Sequence, residues 1–263
     1  MRGARWGAVV LALLLVPAGA CFDTSGLSGG TKDAGNFDDS AIASDAPLDT
    51  SSDTSAPVDA SEEDSATPPS STLVQERGSS ASTTTSLDVS VAGVVTAGNS
   101  LLLVVSGVQE TPTSVQGGGT WNKIASSGTH VATSMWLATN ATGGSTTVTM
   151  TWTNSETTVA ALLMEWTGTL TKLLDVETKG VGTAVSLGPI TSAPGNVLIA
   201  GVGMHKHTVG APSGGFTLID SVTQDDLKIL IAQSSPGAGT FSTGWTADTS
   251  DGWDAMLVAL TGN

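Results

Sequence analysis

The chain reads as an all-β protein: an antiparallel, jelly-roll-like β-sandwich of about twelve strands, built from two similar halves and preceded by a disordered N-terminal tether. Three observations predict it. Short apolar runs alternate with hydroxyl residues at a period of two, as in STTVTMTWT (residues 145–153), where Val148, Met150 and Trp152 share one face. The order of blocks in one half is rewritten in the other. The composition also disfavours helix: 32 glycines, no tyrosine, Ser and Thr in every segment, and 13% charged residues where about 25% is usual.

Taken in order, residues 1–20 form the first element. Arg2 and Arg5 precede an unbroken apolar run from Trp6 to Val16. That run is too short to cross a bilayer core, which takes roughly 20 helical residues, and has the length of a signal-peptide core. Pro17 breaks the helix, and Ala18, Gly19 and Ala20 offer a small-residue cleavage site. Cys21, the single cysteine of the chain, follows at once. AGAC (residues 18–21) resembles the lipobox of bacterial lipoproteins, departing from it at Ala18, where Leu is commoner. The resemblance implies cleavage between Ala20 and Cys21 and a diacylglycerol thioether on Cys21. An ordinary secretory signal that leaves an unpaired thiol at the new terminus is the other reading. Two or three acyl chains hold a protein on a bilayer durably where one does not. The expected location is the bacterial cell envelope, on its periplasmic or surface face, with the outer membrane favoured.

Residues 21–72 form the tether. From Phe22 to Thr72 the chain carries 11 acids, one base (Lys32) and almost no large apolar side chain, so it cannot offset its ordering entropy by burial. As a coil its span is about 40 Å, and like charges extend it. The whole chain has a formal charge of −15, which excludes nucleic acid as a partner, because phosphates need a basic face to displace their counterions. The expected partners are the lipid bilayer, through acylated Cys21, and a polysaccharide or envelope protein.

Residues 73–263 form the sandwich, with pseudo-repeats at 84–168 and 183–262. AGNSLLLVVSGV (97–108) is answered by PGNVLIAGVGM (194–204), and GGTWNKI (118–124) by SGGFTLI (213–219). TGGSTTVTMTW (142–152) is answered by PGAGTFSTGW (236–245), and AALLMEWTG (160–168) by DAMLVALTG (254–262). The continuously apolar LLLVVSGV (101–108) needs cover on both faces. Residues 169–182 read as a short join, leaving open whether the halves share one sandwich or form two small domains. The two-half pattern resembles β-sandwich modules of secreted and surface-displayed bacterial proteins.

Several residues are candidates for chemistry. His205 and His207 point the same way on an extended chain, the spacing of a zinc site, with His130 or an aspartate as a third ligand. Asp248, Asp251 and Asp254 surround Gly252 at a spacing that could wrap calcium; a turn with Asx hydrogen bonds explains them equally. No cofactor is expected, and structural calcium or zinc is the alternative. Glu165 interrupts an apolar strand and is assigned to the solvent side of a sheet. Trp121 and Trp253 border glycine-rich loops and are candidates for an exposed sugar-stacking platform, with packing under those loops as the other reading, while Trp152 and Trp245 occupy matching core positions. No nucleophile elbow, paired carboxylates or phosphate loop is present. The expected function is a displayed binding or structural module; a surface-anchored hydrolase, such as a glycosidase on a jelly-roll scaffold, is the alternative.

Overall fold

The computed structural model describes residues 71–205 and 208–263. Residues 1–70, Ala20 and Cys21 among them, and His207 lie outside the described residues. In chain order the strands are β1 (Leu73–Ser90), β2 (Ser100–Gly107), β3 (Ser114–Gln116), β4 (Thr120–Ser127), β5 (Ala132–Thr139), β6 (Thr147–Trp166), β7 (Leu170–Ser192), β8 (Asn196–His205), β9 (Thr217–Gln224), β10 (Leu227–Ser234) and β11 (Gly239–Gly262). Every pairing among them is antiparallel.

Each half builds its own sheet. The first has the order β1-β6-β2-β5-β4, with β3 against β6, and the second has the order β7-β11-β8-β10-β9. The two orders are equivalent strand for strand. Leu103 sits across from Leu163 in the first sheet; 97 and 94 residues further on, Ala200 sits across from Leu257 in the second. Edge β1 lies against edge β9, and edge β4 against edge β7, so the sheets stack in a pseudo-twofold arrangement.

Alternation along β2 decides which side chain enters which layer. Leu102 and Val104 point between the sheets, where they join Leu162, Ile199, Ile229 and Met256 in a core shared by both halves. Leu101, Leu103 and Val105 point outward and are equally buried. They are roofed because β6 is long enough to belong to two layers. Its ladder with β1 runs regularly from Gln75 opposite Glu165 to Thr84 opposite Glu156, then skips to Ser86 opposite Thr151. The extra residues on β6 form a bulge, and a bulge bends a strand. Beyond it, Val148, Met150 and Trp152 fold back over the outer face. In the second half β11 does the same: its ladder with β7 jumps from Thr246–Ala184 to Asp251–Gly182. A third core, containing Trp245 and Leu187, lies beneath that arm. Three parallel cores therefore stack through one sandwich.

Eleven strands form among the described residues, in keeping with about twelve; the second half reduces the counterpart of β3 to an isolated bridge between Val209 and Ala247. Beside it Ser213 N–H donates to the Gly244 carbonyl at 3.0 Å and Gly210 N–H to Thr246 at 3.0 Å. Pro212, between them, has no N–H to donate. Residues 169–182 are not a join: Leu170 to Ser192 form β7, the edge strand of the second sheet. Trp152 and Trp245 are both buried (5% and 2% exposed), but each lies in its own half's outer core and neither in the shared one.

Candidate functional site

The sandwich has two unlike ends. At one, Leu73 stands opposite Trp166, and Thr72 N–H donates to Thr167 Oγ1 at 2.9 Å. The described chain enters the fold there, and this end is called proximal. At the other, Gly107 meets Ala132 and Val159, and His205 meets Leu227. This distal end carries the β2–β3 and β4–β5 loops, the start of the β8–β9 connection, the β9–β10 turn and the bends of β6 and β11. About 25–30 Å of strand separates the two ends.

Most of the candidate side chains fall at the distal end. His205 Nδ1 lies 3.7 Å from Asp226 Oδ2. His130 lies in the β4–β5 loop on the bare backbone of Gly252: a methyl group there would come within 2.7 Å of the histidine Cβ and Cγ. Asp248 receives the Thr249 hydroxyl at 3.3 Å, and Asp251 Oδ1 receives its neighbour's N–H, from Gly252, at 2.6 Å. Both contacts are with the next residue in the chain, not the bond to the backbone two residues on that defines an Asx turn. Among the described residues no three His, Cys, Asp or Glu side chains gather as a metal-holding group.

Asp254 departs from the calcium reading in the use of its oxygens. It is fully buried and faces the β4–β5 loop of the other half. Its carboxylate accepts Ser127 Oγ–H at 2.9 Å, Thr129 N–H at 3.1 Å, His130 N–H at 2.7 Å and Val131 N–H at 2.8 Å. Glu156, buried at the bend of β6, likewise accepts the N–H groups of Gln109 (2.9 Å) and Glu110 (2.8 Å). Sequence reasoning missed both roles. A signal existed for Asp254, because the matching position of the first half is Ala160 and an acid there intrudes on an apolar strand.

Glu165 is not on a solvent face. It is fully buried near the proximal end, beneath the β1–β2 loop, which covers the outer face of β6 there. It accepts Gln75 Nε2 at 2.5 Å, Thr96 N–H at 2.8 Å and Asn99 Nδ2 at 2.6 Å. Burial pushes its carboxyl up, but those hydrogen bonds from Gln75, Thr96 and Asn99 together outweigh it and hold it below the ordinary value.

The two tryptophans proposed as a platform are not brought together. Trp253 is 8% exposed and packs into the second outer core. Gly180 opposite it leaves room for the indole: a methyl group there would lie 2.6 Å from the ring. Trp121 is half-buried against the first outer core, near the proximal end, with Nε1–H on the Gly117 carbonyl at 2.7 Å. Two concave features among the described residues are polar seams between sheet edges. One, of about 430 Å³, runs between β1 and β9 past Glu76, Arg77, Asp220 and Thr223. Its pseudo-symmetric counterpart, of about 260 Å³, lies between β4 and β7 beside Ser127, Glu177 and Lys179.

No family model, no curated protein and no solved structure matches this chain.

Proposed function

We propose that the protein is an envelope lipoprotein, held on a bilayer through acylated Cys21, that presents its sandwich as a binding or structural module. The single observation that carries this reading is the division of the fold into two ends. The chain enters at Leu73, opposite Trp166, and the polar loops with His130, His205, Asp226, Asp248 and Asp251 lie at the far end of the strands. On this reading the rim lies at the end of the strands opposite the point where the tether joins the fold. The binding reading is favoured over a hydrolase because the three buried carboxylates, Glu156, Glu165 and Asp254, already hold loops in place. The ligand class in keeping with this rim is a polar envelope component, a polysaccharide or a protein.

Two measurements test it. Cys21→Ser replaces the thiol that forms the thioether, so the variant should move from the detergent phase to the aqueous phase; equal partitioning removes the anchor. The soluble chain should also bind polysaccharide or envelope extract, and charge reversal at Asp226 and Asp248 should weaken that binding. Binding that ignores the distal rim refutes the assignment of the face.

A further inference from the structure

We infer that Asp254 is a latch between the two halves: a carboxylate supplied by the second sheet holds the β4–β5 loop of the first in the conformation that shapes the distal rim. This inference is independent of what the rim binds. The loop has four residues, Gly128 to Val131, between β4 and β5. Three consecutive N–H groups in it, at Thr129, His130 and Val131, turn toward one side chain on β11. A hairpin loop does not need this to close, since its own backbone can supply the turn bond. Here the N–H groups are spent on a group 123 to 125 residues away in sequence.

The surroundings make the latch specific. On β11 the carboxylate stands between its ladder partners Lys179 of β7 and Gly203 of β8. Gly203 lets the first sheet pack directly on β8 there: a methyl group would strike Thr133 Oγ1 and Ser106 Oγ. Lys179 is directed to the same loop, with Nζ donating to Thr129 Oγ1 at 2.7 Å. Asp254 is thus held by N–H and O–H dipoles, an arrangement suited to an anion and to no neutral side chain of the same shape. An amide would keep one acceptor and turn an NH₂ toward backbone N–H groups. The seam beside Ser127, Glu177 and Lys179 shares this loop as its wall, so the latch also sets how far that seam opens.

The test is amide hydrogen exchange on the full chain at neutral pH. Asp254→Asn should speed exchange at Thr129, His130 and Val131 by roughly tenfold to a hundredfold, the range lost with hydrogen bonds to a charged group. Amides of the β5–β2 ladder should keep their protection. A uniform rise across the chain would reduce Asp254 to a stability residue, and unchanged rates at residues 129–131 would remove the latch altogether. If Asp254→Asn does not fold, Ser127→Ala decides. It leaves the carboxylate and removes one neutral donor; a few-fold rise confined to residues 129–131 supports the latch, and no local change overturns it.

Discussion

The two halves share a strand order but differ in how their loops are held. In the first half, buried carboxylates gather loop N–H groups: Glu165 on the β1–β2 loop, Glu156 on the β2–β3 loop and, from across the interface, Asp254 on the β4–β5 loop. In the second half the place of Glu165 is taken by Ala259, in the same outer core as Trp245. Its β9–β10 turn is instead tied to β1 by a part-buried bond, Ser80 Oγ–H to Gln224 Oε1 at 2.9 Å, and an exposed one, Ser82 to Asp225. The scaffold can therefore be duplicated without its loop anchors. A buried charge is costly to place and is tolerated only where several donors converge, so it marks positions where one particular loop shape is kept.

The comparison can be broken most forcefully in the cores. Trp152→Ala and Trp245→Ala each empty a tryptophan-sized volume in one outer core and should each cost about 3–5 kcal/mol. Because the core of Leu102, Ile199 and Met256 joins the halves, both variants should shift one cooperative urea transition as a whole. Two transitions, only one of them moved by either variant, would show that the halves unfold separately.

A smaller effect sharpens the difference in loop anchoring. Glu165→Gln should cost about 1–3 kcal/mol at pH 7, with no counterpart at Ala259. The folded carboxyl titrates below its ordinary value of 4.5, so the anion is preferred in the folded state. Its contribution is present above the unfolded value and is lost as pH falls through the folded one. Unfolding in urea at pH 7 and near pH 3 should show the penalty of Glu165→Gln shrinking in acid. A penalty independent of pH would mean that the charge does not anchor the loop. Smallest of all, Pro212→Ala restores an N–H where the second half lacks a β3 strand, and should change stability by no more than about 0.5 kcal/mol. A gain well above that would identify proline, rather than the glycines around it, as what keeps that ladder open.

Alternation and repetition made the central strands legible. Val148, Met150 and Trp152 do share a buried face, and Leu101–Val105 is covered on both sides. The edge strands were much harder to read. Most of β7 up to Gly182 has exposed or half-buried side chains, and hydrophobic periodicity reports only what is buried, so TKLLDVETKG looks like a linker. Trp253 and Glu165 were misplaced for a related reason. Their burial depends on what crosses over them, Gly180 of a neighbouring strand and the β1–β2 loop, and no local pattern encodes that. The distal cluster was half visible: the spacing of the aspartates drew notice, but the donors that occupy Asp254 come from the other half of the chain.

The doubling of β6 and β11 into two layers bears on mechanical load. Both strands run the length of a sheet and continue into the arm that roofs it, and β1 is bonded along β6 from Leu73 to Ser90. A pull between the entry point at Leu73 and the distal rim would run along the strand axes. Its hydrogen bonds would then be loaded in shear and would have to yield together, where a pull across the sheet would open them one at a time.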